Sequence, residues 1–94
     1  MLYAISFNLD TDQLKNIYYP QSSWQNAYGD IKNILTPLGF DRNQGNIYFG
    51  KDINAVQCVL AIQKVSQKYS WFKPCISDIK MWRIEEVNDL LPAL

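Results

Sequence analysis

An α+β fold with element order βαββαβ is predicted by three observations. The first residues, Leu2 to Asp10, alternate large apolar and small polar side chains, the period of a half-buried strand. Two longer segments, from Trp24 to Leu38 and from Ala55 to Tyr69, repeat apolar residues at helical spacing. Three short apolar runs complete the order, two between the helices and one after the second. In a chain of 94 residues this order fits one domain, 1–94, built as a split βαβ unit.

Each element has its own reason. In the first strand Tyr3, Ile5, Phe7 and Leu9 form one face, and Ala4, Ser6, Asn8 and Asp10 the other. Thr11 to Gln21 is polar, contains Tyr18-Tyr19-Pro20, and reads as a loop. Ser22 or Ser23 is the expected N-cap of the first helix, whose buried stripe is Trp24, Ala27, Tyr28, Ile31, Leu35 and Leu38; Pro37 and Gly39 end it. Phe40–Arg42 and Asn46–Lys51 are read as strands joined through Asn43-Gln44-Gly45, and Asp52 as the cap of the second helix. That helix carries Ala55, Cys58, Val59, Ile62, Val65 and Tyr69 as its buried stripe, with Lys64, Gln67 and Lys68 toward water. Ser70–Pro74 is a turn holding Trp71 and Phe72, Cys75–Ile84 the last strand, and Glu85–Leu94 a tail with room for one helical turn. The sum is a ferredoxin-like fold: a four-stranded antiparallel sheet with two helices on one face. The other face is left open, with Ala4, Ser6 and Asn8 on it and Tyr48 and Trp82 as its expected aromatics. Such a face stacks bases or pairs with a second copy.

Composition narrows the function. Nine basic residues balance nine acidic ones, so no global field draws the chain to nucleic acid, and any such contact is local. No basic, cleavable leader opens the sequence and no apolar run is long enough for a bilayer, so a cytoplasmic protein with no membrane contact is expected. Cys58 and Cys75 lack metal-ligand spacing and read as reduced, packed thiols. Histidine is absent, which excludes Ser-His-Asp and Cys-His catalysis and histidine metal sites. Chemistry on this chain runs on carboxylates, Lys, Arg, Tyr or hydroxyls. Zinc is implausible, and no protein metal cluster is expected.

Three stretches carry the candidate site: Tyr3-Ala4-Ile5-Ser6-Phe7-Asn8-Leu9, Asn43-Gln44-Gly45-Asn46-Ile47-Tyr48, and Ser77-Asp78-Ile79-Lys80-Met81-Trp82-Arg83-Ile84-Glu85. By spacing alone, Asn8 and Asp10 are solvated residues at a strand end, the middle stretch a plain hairpin, and Asp78–Lys80 a surface ion pair. Together the three resemble the VapD family, small ribonucleases of bacterial toxin–antitoxin systems. In that family the first stretch runs Tyr-Ala-Ile-Ala-Phe-Asp-Leu, the second Thr-Gln-Gly-Ser-hydrophobic-Tyr, and the third Val-Arg-Asp-Ile-Arg-Ala-Phe-Arg-Ile/Val-Glu.

The resemblance implies an endoribonuclease that cleaves RNA as a homodimer, with strand-end carboxylates facing across a two-fold axis, restrained by a cognate antitoxin protein. It implies catalytic roles at position 8 and at Asp78, with Asp10 as a substitute carboxylate. Gln44, Gly45, Asn46, Lys80 and Arg83 are implied as substrate contacts, Lys80 and Arg83 alternatively as dimer-pairing residues. A hydrated magnesium ion is the one cofactor this reading admits. The departure is Asn8, an amide where the family has its catalytic aspartate. Three explanations stand: an engineered inactive copy, a natural member that only binds, or a shift of the charge to Asp10 or Asp78. A non-catalytic dimeric RNA-binding or regulatory module is the alternative function.

Overall fold

The alternation at the N-terminus builds the middle of the sheet. A computed structural model describes residues 1–94, in which strand β1 (Leu2–Leu9) lies between β3 (Ile47–Lys51) and β4 (Ile76–Ile84). Strand β2 (Phe40–Gln44) borders β3, giving the order β2-β3-β1-β4 with every neighbour antiparallel. This is the ferredoxin-like arrangement predicted above. Ile5, Phe7 and Leu9 join one apolar core with Phe40, Tyr48 and the buried residues of four helices.

Helix α2 (Asn26–Leu35) buries Ala27, Ile31 and Leu35, as its spacing requires, and α3 (Ala55–Lys68) buries Cys58, Ala61 and Val65. Val59, expected on the buried stripe, is exposed. The thiols of Cys58 and Cys75 are free and buried, and burial pushes both up, so neither is a ready nucleophile.

Three segments depart from expectation at their starts. Thr11–Ile17 is a helix, α1, rather than a loop: Asp10 Oδ1 accepts the Gln13 N–H at 3.1 Å, and Leu14 is fully buried. With one buried residue in seven, α1 has no apolar period to read. The second long helix is capped by Asn54, not Asp52. Asn54 and Gln57 exchange two 2.8 Å bonds in a capping box, while Asp52 adopts a left-handed backbone (φ 56°) and donates its N–H to Met1 O. Ser22 and Ser23 lie in a 3-10 turn ahead of α2 and do not cap it. Trp71 and Phe72 open the short helix α4 (Phe72–Cys75), and both are buried.

Tyr48 also moves relative to expectation. It packs into the helix-covered core, 6.1 Å from the Phe7 ring, and Phe49 takes the open-face position. The β1–β3 pairing is the reason: Tyr48 lies opposite Ile5, a core-facing residue, and Phe49 opposite Ala4, on the open face. Tyr18 likewise leaves the surface. Its hydroxyl donates to Asp30 Oδ2 at 2.6 Å, and burial together with that carboxylate pushes its pKa up to about 12.

At Gly50 the close approach is steric. A Cβ there would lie 2.7 Å from Ile53 Cδ1 and 3.0 Å from Phe40 Cε1, both in the core. Gly50→Ala is expected to cost about 1–3 kcal/mol by overpacking. Each kcal/mol lowers the Tm of a domain this size by about 4–8 °C, so a thermal melt decides it, and an unchanged Tm would contradict the packing.

Candidate functional site

The helix-free face carries the even-numbered residues of β1 and β4. Across the strands Ala4 faces Trp82, Ser6 faces Lys80 and Asn8 faces Asp78. On the other side of β1, Ala4 faces Phe49 and Ser6 faces Ile47. Ala4 is buried although it lies outside the core cluster, because Phe49 and Trp82 flank it. Trp82 donates its indole N–H to Ser6 Oγ at 2.8 Å, which holds the ring across β1 with half its surface exposed.

Asn8 sits at the end of this face, exposed, where the ladder breaks. Asn8 pairs with Asp78 and Leu9 with Ile76, so Ser77 is an extra residue on β4, and its hydroxyl donates to Asn8 O at 3.2 Å. Such bulges re-aim side chains at sheet ends. Asp78 is half-buried and takes the Lys80 ammonium on Oδ1 at 2.5 Å. Opposed residues of an antiparallel pair hold their Cβ atoms about 4.5–5.5 Å apart, so the Asn8 amide and the Asp78 carboxylate are immediate neighbours.

The hairpin reaches the same end from the β3 side. Phe7 donates its N–H to Asn46 O at 3.2 Å, which seats the turn beside the end of β1. The turn's central residues are Gly45 and Asn46, between Gln44 and Ile47, rather than the Asn43-Gln44-Gly45 connection expected. Gly45 has φ 53°, the positive value a type II′ turn requires at its first central position. Arg42 Nε donates to Gly45 O at 2.6 Å and pins the loop. Arg42 was not among the expected site residues; only the register of the hairpin reveals it.

Asn8, Asp78, Lys80 and the Gln44–Asn46 turn are therefore brought together, from three strands. Two expected residues are not. Asp10 spends its carboxylate capping α1. Arg83 faces Tyr3, five residues along β1 from Asn8 and about 17 Å away at the rise of an antiparallel strand, and it projects from the helix-covered side. No three Asp, Glu or Cys side chains converge anywhere on the chain. Asp78 alone, already paired to Lys80, is a poor fit to magnesium.

What this arrangement offers is an exposed ledge where an ammonium, a carboxylate, an amide and a turn backbone surround one point, beside an aromatic plate. That suits a phosphodiester with a base stacked nearby. It lacks a free carboxylate to accept a proton.

No family model matches the chain. It is, however, similar along nearly its whole length to curated proteins. It is 48% identical over 94 residues to Endoribonuclease VapD 2 of Riemerella anatipestifer, covering 99% of each chain. It is 39% identical over 94 residues to an Endoribonuclease VapD homolog of Helicobacter pylori, covering 99% of this chain and 96% of that one. Endoribonuclease VapD of Dichelobacter nodosus is 34% identical over 88 residues, covering 94% and 91%.

Proposed function

This chain belongs to the VapD family, and on that premise we propose that it is an endoribonuclease of a bacterial toxin–antitoxin system, cleaving RNA at the Asn8 end of its open sheet face. The observation that carries the reading is the cross-strand neighbourhood of Asn8 and Asp78, with the Gly45 turn alongside. The relatives are named endoribonucleases, and that supplies the reaction class. A second copy of the chain and a small antitoxin protein are the protein partners, and the cytoplasm is the place of action. No helix is long and apolar enough to cross a membrane.

In this mechanism Lys80 and the turn hold the scissile phosphate, and Trp82 gives a neighbouring base a surface to stack on. Position 8 is where a carboxylate would take a proton from the attacking oxygen. An amide of the same shape still donates a hydrogen bond to phosphate but accepts no proton at neutral pH. This chain accordingly binds RNA and cleaves it weakly. Cleavage of a labelled RNA by the chain and by Asn8→Asp tests the reading; no cleavage by either, with binding intact, would select the non-catalytic RNA-binding module.

Binding has its own expectation. With net charge zero the affinity rests on local cations and falls as salt rises. Lys80→Ala should reduce the log–log salt slope on single-stranded RNA by about 0.7, the contribution of one phosphate contact. Arg83→Ala, remote from the ledge, should leave the slope alone. Titration across a salt series measures both, and equal effects would move the binding path off this end of the face.

A further inference from the structure

We infer that Arg42 is a positioning residue for the site: by gripping the Gly45 carbonyl it aims the Asn46 N–H at the ledge, where that donor meets the phosphate. This rests on the phosphate-holding role given to the turn above. Arg42 lies opposite Tyr48, a core residue, and opposed residues of a strand pair share a face, so its side chain leaves β2 on the helix-covered side. Phe40, two residues earlier, is buried on that same side. Burial pushes the Tyr48 phenol up, and the nearby Arg42 guanidinium offsets part of that rise. From this position Arg42 Nε donates to Gly45 O at 2.6 Å.

A trans peptide is planar, with its C=O and N–H on opposite sides. A Gly45 carbonyl drawn toward the helix-covered side therefore sends the Asn46 N–H of the same peptide toward the open face. Continuing the β1–β3 register past Ser6 and Ile47 sets Asn46 opposite Phe7 and Gly45 opposite Asn8. The bond from the Phe7 N–H to Asn46 O at 3.2 Å shows that the ladder does continue. The Gly45–Asn46 peptide thus stands beside Asn8, with Asp78 and Lys80 beyond it on β4. Neither the Gly45 N–H nor the Asn46 N–H is given to a backbone carbonyl, and Asn46 is half-buried. An unspent, partly shielded backbone donor aimed at one point suits an anion.

Without the grip this peptide can flip. Type II′, seen here, and type I′ differ by that flip, and type I′ asks for positive φ at Asn46, a residue type that tolerates it. Packing does not choose between them, since nothing lies within 4 Å of a Cβ built on Gly45. The flipped turn would present a carbonyl, an acceptor, to the phosphate. The bond from Arg42 fixes the donor before substrate arrives, which is where a preorganised N–H has its effect. The role is geometric, because the guanidinium charge lies on the other side of the sheet from Lys80.

The test is NMR of the isotope-labelled chain titrated with a short single-stranded RNA, with affinity measured across a salt series and circular dichroism confirming that each variant is folded. In the parent the Asn46 amide should shift on binding. Arg42→Ala should lose that shift and bind about tenfold more weakly, the loss of about one hydrogen bond. Its log–log salt slope should stay that of the parent, because Arg42 itself touches no phosphate. Arg42→Gln places an amide nitrogen as many bonds from the backbone as Nε, keeping the donor without the charge, and should retain both shift and affinity. Three results would overturn the inference and leave RNA as the substrate: a parent that binds RNA with the Asn46 amide unmoved, an Arg42→Ala that keeps the shift, or a slope lowered by about 0.7 in Arg42→Ala and Arg42→Gln alike, which would make Arg42 a phosphate contact. A parent that binds no RNA would overturn the functional reading as well.

Discussion

Replacing Asn8 by aspartate is expected to raise RNA cleavage by about 10²- to 10⁴-fold, the usual contribution of one positioned acid–base group. The change adds no volume and alters no backbone, so its effect is the added charge and proton-accepting capacity. Asn8 is exposed at the bulged end of β1, where Ser77 binds its carbonyl oxygen and leaves its side chain free. A carboxylate there meets Asp78 directly across the strands, and Lys80 on the same face. Two charges of one sign this close repel, and Lys80 offsets part of that repulsion. Because the chain has no histidine, the rate of Asn8→Asp should rise through a carboxylate-like limb with no imidazole limb. Single-turnover rates across a pH series measure this. The same repulsion acts only when both carboxylates are charged, so Asn8→Asp should be less stable relative to the parent at neutral pH than at acid pH.

The second large effect concerns Asp78. In the Asn8→Asp background, Asp78→Asn should lower cleavage again by a factor on the order of 10² or more, because it removes the neighbour that sets the new group's pKa and the anchor that positions Lys80. Residues that act as a unit are non-additive. In the parent, where position 8 has no proton acceptor, Asp78→Asn should therefore change the rate far less. A four-member kinetic cycle separates the two cases. Equal losses in both backgrounds would show that Asp78 acts without position 8.

The sequence was most legible where one face is wholly apolar. The alternation Tyr3, Ile5, Phe7, Leu9 and the spacing Ala27, Ile31, Leu35 each admit one structure, and with the element order they lead to the sheet observed. Legibility failed where a single residue carries an element. Helix α1 rests on Leu14 and on Asp10, whose carboxylate looked available until it proved to be a cap. At the start of α3, Asp52 was read as the cap, and the overlooked sign was Gln57 three residues after Asn54, the spacing of a capping box. Tyr48 was misassigned to the open face, and Phe49 missed, because the register of β3 against β1, which sets Tyr48 opposite Ile5, is not written in the local sequence of β3. The candidate site shows the same division. Its residue types are visible in three short stretches, but the neighbourhood of Asn8 and Asp78, the role of Arg42 and the remoteness of Arg83 depend on strand register, which no local pattern encodes.

The most direct test of position 8 is the cleavage of one labelled RNA by this chain and by Asn8→Asp, prepared identically and compared under single-turnover conditions. The expected result is fragments that accumulate rapidly with Asn8→Asp and at least about 10²-fold more slowly with the parent. Equal and robust cleavage by both proteins would contradict it and move the catalytic carboxylate to Asp78.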